Sequence, residues 1–544
     1  MATSILSIGQ SALAAAQVGL STTGHNIANA ATPGFSRQLV IQNAAQPQNF
    51  GFGFMGQGTE IAAVKRVYSE FLGSQMRTAQ ATKSGLDGYY AQIKQIDNLL
   101  ADPASGLSPA LQSFFSGIQD VASNPAAIPS RQAALSSAEA LASRFQSLSG
   151  RLKEVEQGIN SQITSSVSII NTYAKQIAEL NDAVGRAQSA SGQPANDLLD
   201  QRDQLILDLN KEIKATVVKQ DDGHYNVFIG NGQPLVVGVK TASLTTAASL
   251  TNPERIEVAY RTAGNTFIAG ESGFVGGKLG GLIEFRKQTL EPAQNSLGRV
   301  AIGLAGTFNA QHRLGFDLNG NAGGDFFTLA APAVNSHAGN AGTAVISGSI
   351  ADANALTTSD YSLKYDGTEY TLTRLSDNTA TQFPTLPQTV DGVTLDLASG
   401  APATGDSFLI RPTINGATAF AVAITDPAEI AAAAVTGAVG DNRNALLLAA
   451  LQKANTLGNG TATYQRAYSQ LVSQIGNKTR ELDVSSSAAG KLLSEATLSI
   501  QAESGVNLDE EATNLLRYQQ AYQAAGKVMQ IASEMFDVLL TLGR

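Results

Sequence analysis

The stretch HNIANAATPGFSRQ, residues 25–38, ends an Ala-rich run that reads as helix. Pro33 disfavours helical backbone at Thr32, and Gly34 admits a sharp turn, so the helix has to stop here. Asn26 and Asn29 stand where a helix terminus leaves carbonyls without partners, and their amides are expected to satisfy them. Residues 1–36 contain no Asp, Glu, Lys or Arg, and Arg37 is the first charge. The fold turns on what this uncharged helix packs against.

Leu6, Leu13, Leu20 and Ile27 are spaced by seven, and Gly9, Ala16, Thr23 and Ala30 follow three residues after each. That is a heptad seam with large residues at one position and small ones at the other. Such a helix is marginal alone in water, because nucleation is costly and packing supplies most of its stability. The far end of the chain offers a partner. Leu515, Tyr518, Tyr522, Ala525, Met529, Ala532, Phe536 and Leu539 alternate spacings of three and four, a second heptad stripe with bulky knobs. The pattern predicts that the two ends pair as a coiled coil, the knobs filling holes beside Gly9, Ala16 and Thr23. The alternative is that each stripe faces its own domain core.

Between the ends the chain reads helix, sheet, helix. Residues 39–67 read as a β-hairpin with a long loop, and helical periodicity then runs from Glu70 to Ile213. A continuous stripe from Ala138 through Phe145, Leu152, Ile159 and Val167 predicts one helix of about 50 residues, roughly 75 Å long. Strands and turns occupy 214–268, helix returns near 279–313, and residues 331–425 alternate as a β insertion. The expected fold is mixed α and β and multidomain. Long helices from both termini form a bundle or coiled coil around inserted β-rich domains. The expected divisions are 1–70 with 501–544 as paired terminal helices and hairpin; 71–213 with 441–500 as a helical rod; 214–330 as a mixed β/α domain; and 331–440 as a β-rich insertion.

Composition narrows the function. The 544 residues carry a net charge of -9, which argues against nucleic acid. Only 15% are charged, against about 25% in an ordinary globular chain. A surface so poor in charge suits packing against copies of itself. Without Cys, disulfides and thiolate chemistry are excluded. No apolar run reaches the roughly 18 residues of a membrane span, and the uncharged start lacks the basic n-region of a secretory signal. By those rules the chain stays in the cytosol unless another export route reads it.

Catalytic and metal motifs fail on inspection. GFGFMG, residues 51–56, matches G-x-G-x-x-G but precedes a strand instead of a helix, so it reads as a hairpin loop. GFVGGKLGG, residues 273–281, has the wrong spacing for a P-loop, and Leu279 stands where a Mg²⁺-holding hydroxyl belongs. In DLNGNAGGD, residues 317–325, Asp317, Asn319, Asn321 and Asp325 occupy Ca²⁺-loop positions. Ala322 and Thr328 replace the turn Gly and the bidentate Glu, so a tight turn without metal is expected. The four His, at 25, 224, 312 and 337, have no zinc spacing. No catalytic residue, metal or cofactor is predicted.

NIANAATPGFSRQ resembles the N-terminal signature of bacterial flagellar axial proteins, carried here by Asn26, Ile27, Asn29, Thr32, Pro33, Gly34 and Phe35; relatives often have Tyr at the last position. SGVNLDEEATNLLRYQQAYQAAGKVMQIASEMFDVLL, residues 504–540, is similar to their closing helix, and residues 276–327 resemble the hook-associated protein 1 family. The resemblance implies a nested, flagellin-like architecture and a structural role at the junction of hook and filament. It implies export by the flagellar type III system, an extracellular location in the flagellum, and assembly as copies in a ring. Its partners would be the hook protein, a second junction protein and a cytosolic chaperone holding the C-terminal helices. Another axial part, hook or rod, is the nearest rival. A secreted cell-wall hydrolase and a host-facing adhesin are more distant ones.

Overall fold

A computed structural model describes residues 2–49, 51–102, 106–262 and 265–542. The chain opens with α1 (Ala2–Ala28), then a hairpin of β1 (Gln38–Ala44) and β4 (Thr59–Arg66) carrying a small inner hairpin, β2 (Gln48–Asn49) and β3 (Phe54–Met55). GFGFMG forms that inner tip. Four helices follow: α2 (Glu70–Ala101), α3 (Leu107–Ser123), α4 (Ile128–Ser191) and α5 (Asn196–Glu212). At 64 residues α4 spans about 96 Å, longer than its apolar stripe indicated. Gly192 at φ 64° ends it, its N–H bonding back to the Gln188 carbonyl as a left-handed cap.

Two antiparallel sheets come next. One has order β5-β6-β7-β8 (Ala215–Lys219, Tyr225–Ile229, Gln233–Val237, Lys240–Thr241). The other has order β11-β10-β9, from β9 (Ser243–Ala248), β10 (Ile256–Thr262) and β11 (Asn265–Ile268). Gly276 and Gly277, both at positive φ, turn the chain into α6 (Gly277–Phe285). A π-helical turn over 286–290 joins α6 to α7 (Glu291–His312). The inserted β domain holds β12 (Ala333–Ser336), β13 (Val345–Ile350), β14 (Tyr361–Tyr365), β15 (Tyr370–Arg374), β16 (Ala380–Phe383), β17 (Gln388–Val390), β18 (Val393–Ser399) and β19 (Ser407–Arg411). They form two sheets, β12-β19-β14-β15-β16 and β13-β18-β17. The chain closes with α8 (Arg443–Ala450), α9 (Tyr464–Ser504) and α10 (Leu508–Leu542).

Two cores organise these elements, and they correct the expected divisions. Ile93, Phe114, Phe145, Leu235, Tyr260, Phe285, Phe308 and Leu471 belong to one continuous cluster, so 214–330 has no core of its own. The reason is helix packing. α6 lies on α2, and α7 lies on α9. Gly281 seats against the backbone of Gly85, where no Cβ would fit. The second core comprises Tyr361, Leu363, Leu372, Phe408 and Ile410 with Ile302 of α7. It closes at β19; Ala417, Phe420, Ile430 and Ala432 return to the first core. The insertion therefore ends near 411 and not at 440.

In the 317–325 loop, the Asn321 N–H donates to Asp317 Oδ1 at 2.7 Å and closes a tight turn. Among the described residues no group of three or more His, Asp or Glu is arranged to hold a metal ion. No described helix is long and apolar enough to cross a membrane.

Candidate assembly interface

α1 and α10 pack against each other along their length. Gly9 faces Met529 and Gly19 faces Tyr518, so the pair is antiparallel. The approach is close: a methyl built on Gly19 would lie 2.5 Å from the Tyr518 ring, and one on Gly9 would lie 3.0 Å from Met529 Sδ. Gly9, Ala15, Ala16, Gly19 and Thr23 on α1 and Ala525 and Ala532 on α10 are buried along this seam.

The close contact of the pair is made at the small heptad position of α1, and Leu6, Leu13, Leu20 and Ile27, read from the sequence as the large position of the seam, lie beside it. Leu6 is 40% and Ile27 36% exposed, and Leu13 and Leu20 are half-buried. Of the C-terminal stripe, Tyr518 and Met529 are half-buried on the glycines, while Leu515, Tyr522 and Phe536 stay exposed. The side chain of Leu539 lies outside the described residues. Interaxial distance follows the side chains at the contact, and with Tyr518 and Met529 seated on the α1 glycines there is no room for a further large side chain from α1 between the helices. The large residues are displaced to the flanks. Leu516, Ile531, Met535, Val538 and Leu540 join them there, all exposed.

The motif after α1 fastens the pair to the rod. Asn29 Nδ2 donates to the His25 carbonyl at 3.0 Å, as a helix-end amide should, and Thr32 Oγ1 donates to Asn29 Oδ1. Asn26 does something else. Its Nδ2 donates to the Gln38 carbonyl and its Oδ1 accepts from the Gln38 N–H, both at 2.9 Å, so it ties α1 to β1. Pro33 is exposed, Gly34 turns at φ 79° against Gln204, and Phe35 stands edge-on to the His25 ring.

Ser36 then meets α5. Its N–H and Oγ each donate to Asp200 at 2.8 Å. Arg66, at the end of β4, reaches Asp200 and Asp203 at 2.7 Å. Burial works against the Arg66 charge, but Asp203 and Asp200 outweigh it and hold the guanidinium more firmly protonated than in water. A groove of about 740 Å³ runs beside the motif, lined by Pro33, Gly34 and Phe35 with Glu179, Leu180 and Asp197.

The clasp at the base of the pair has no counterpart in the motif as read from sequence. Arg37 Nε donates to Glu511 Oε1 at 2.8 Å and Nη1 to Glu510 Oε2 at 2.7 Å. The Arg37 N–H donates to the Ser504 carbonyl, and its carbonyl accepts from the Val67 N–H. Glu511 is buried and Glu510 is exposed. One residue thus joins the base of the hairpin to the end of α9 and the start of α10. The available signal was Arg37 as the first charge in the chain and a pair of glutamates opening the last helix.

Comparison with known proteins gives these observations a context. The family described as "Flagella basal body rod protein" matches residues 6–35, and "Flagellar basal body rod FlgEFG protein C-terminal" matches 501–542, the two ends that pair. "Flagellar hook-associated protein FlgK helical domain" matches 93–327, within the first core, and "Flagellar hook-associated protein 1, D2-like domain" matches 335–412, the second. A solved structure of the flagellar hook junction protein FlgK from Burkholderia pseudomallei is similar at TM-score 0.74 and 30% identity, covering 79% of this chain and 99% of that one. The flagellar hook-associated protein 1 of Escherichia coli is 38% identical over 99% of this chain and all of that protein. That of Salmonella typhimurium is 40% identical over the same shares. With this identity along both full lengths, the chain belongs to the flagellar hook-associated protein 1 family.

Proposed function

We propose that the chain is a non-enzymatic structural subunit joining the flagellar hook to the filament, assembling as a ring of copies. The observation that carries this reading is the α1–α10 pair. Its seam sets small residues of α1 against Tyr518 and Met529, while Leu6, Ile27, Leu516, Ile531, Phe536 and Val538 stay exposed. Contiguous exposed apolar surface of this kind marks an interaction site. Each Leu covered on assembly contributes up to about 1.5–3 kcal/mol, less the part already buried. A seam of small residues on the α1 side contributes little by comparison, so the turns far from the Arg37 clasp order fully only against neighbouring subunits.

In this reading the chain leaves the cytoplasm through the flagellar type III channel and functions outside the cell. A cytosolic chaperone covers the C-terminal helices beforehand, the hook protein lies below, and a second junction protein lies above. The absence of charge before Arg37 lets α1 bury between subunits without stranded ions. Deleting the gene tests the assignment. Bare hooks by electron microscopy, with flagellin lost to the medium, are expected. Intact filaments would overturn it.

A further inference from the structure

The β1–β4 hairpin is a second uncovered surface. One face lies on α1, where the Thr59 N–H donates to Ser11 Oγ at 3.3 Å. The other face carries Leu39 and Ile41, both exposed. At the tip Phe52 is 80% and Phe54 74% exposed. Residues 38–59 contain no charged side chain, so nothing along the arm keeps it in water.

A recess of mixed lining, in which apolar side chains stand beside Ser74, Gln75, Thr78 and Ser499, lies between α2 and α9. It holds about 550 Å³, with Ala79, Ala489 and Ala496 among its lining and Phe71 and Leu492 exposed beside them; Glu495 is its one charged lining residue. That volume is in the range of pockets that enclose a ligand of several rings. The arm of the same chain does not reach it. β4 has eight residues, about 27 Å, between the tip and the start of α2, and the recess begins at Phe71 and runs away along the helix.

A ring of copies needs a heterologous contact, in which two different patches of one chain complement each other. We infer that the uncharged arm of one copy seats Phe54, with Phe52 beside it, in the α2–α9 groove of the adjacent copy. This rests on the assembly reading above. The groove beside the N-terminal motif is the poorer receptor: the carboxylates of Glu179, Asp197 and Asp200 line it, against Glu495 alone in the α2–α9 recess. Two phenyl rings bury about 300–500 Å². A stable interface needs about 1,000 Å² or more, so the arm is the anchor within a larger contact that includes the terminal helices.

The chain has no Cys, which makes the test direct. Gly56 sits beside the anchor in open space, and Thr78 and Ser499 line the groove. Full-length Gly56→Cys/Thr78→Cys and Gly56→Cys/Ser499→Cys variants replace the wild type in cells, and isolated hook–filament complexes are treated with a short bismaleimide. Cross-linked multimers are expected from at least one double variant and only monomer from each single variant. Multimers from Gly56→Cys alone, or none from either double variant while filaments remain attached, would overturn the pairing.

Phe54→Ala supplies a second readout, needed if the cysteine variants fail to assemble. It should lower attached filaments roughly tenfold or more, as loss of an interface anchor does, with the melting temperature of the purified chain unchanged. A fallen melting temperature, or normal attachment, would overturn the proposal. Normal attachment in Phe54→Ala removes only this pairing, whereas intact filaments in the gene deletion remove the junction reading itself.

Discussion

Arg37→Ala removes both ion pairs of the clasp and leaves its two backbone hydrogen bonds in place. Glu510 is more than half exposed, so screening limits its pair to about 0–1 kcal/mol. Glu511 is buried, and stripping one partner from a buried pair costs about 3–5 kcal/mol. The Arg37 side chain is 19% exposed, so water reaches the pair and the figure falls to about 2–3 kcal/mol. The loss falls on local opening of the first turns of α10, because the clasp touches neither core. Hydrogen exchange of the purified chain reads it. Two kcal/mol is roughly a thirtyfold faster exchange over residues 508–515, with the rod unchanged. Arg37→Ala/Glu511→Gln should regain about half, since the neutral amide removes the stranded charge. Exchange within twofold of wild type in Arg37→Ala would refute the clasp as the restraint. Failure of the double variant to recover would show that lost packing, and not an unpaired carboxylate, carries the cost.

Other consequences are as direct. Gly19→Leu forces the Tyr518 ring aside and should cost about 1–3 kcal/mol in pairing of the helices; adding Tyr518→Ala should restore part of the attached filaments that Gly19→Leu loses, and no restoration would refute the contact. Leu6→Asp/Ile27→Asp places charge on exposed flanks, so the melting temperature of the monomer should hold while swimming in soft agar is lost. His312 is buried with Nδ1 donating to the Gly324 carbonyl and Nε2 accepting from the Ala431 N–H, an arrangement that only the neutral ring makes. Burial holds its pKa below the ordinary 6.5, so the unfolded chain binds the proton first. Stability present above pH 6.5 is then lost as pH falls below it, and the urea midpoint should drop more from pH 7.5 to 5.5 than it does in His312→Gln.

What the sequence disclosed follows from how local each cause is. The heptads at both ends were legible because seven-residue spacing survives in one dimension. Which heptad position faces the partner was not, because Leu13 and Ala16 are equally periodic and only the close approach at Gly9 and Gly19 decides between them. Asn29 acts on a carbonyl four residues back, within reach of motif reasoning, whereas Asn26 acts on a strand twelve residues on. The Arg37 partner lies 474 residues away, beyond any spacing rule. The strands of 214–268 were visible as alternation. Their merger with the helical core comes from packing on α4, a proximity no pattern encodes. The π turn at 286–290, which places Arg286 within 2.6 Å of Glu271, likewise leaves no periodic trace.

The antiparallel partnership of α1 and α10 also has a consequence in time. Residues 2–28 leave the ribosome long before their partner, 508–542. At about 5–20 residues per second the delay is roughly half a minute to two minutes. Throughout it the first helix has only the β1–β4 hairpin beside it, and holds Leu6 and Ile27 exposed to any apolar surface in a crowded cell. Every other long helix finds a neighbour sooner. Premature association during synthesis, more than the stability of the finished subunit, is the hazard this topology creates, and it falls on the segment that carries no charge to resist it.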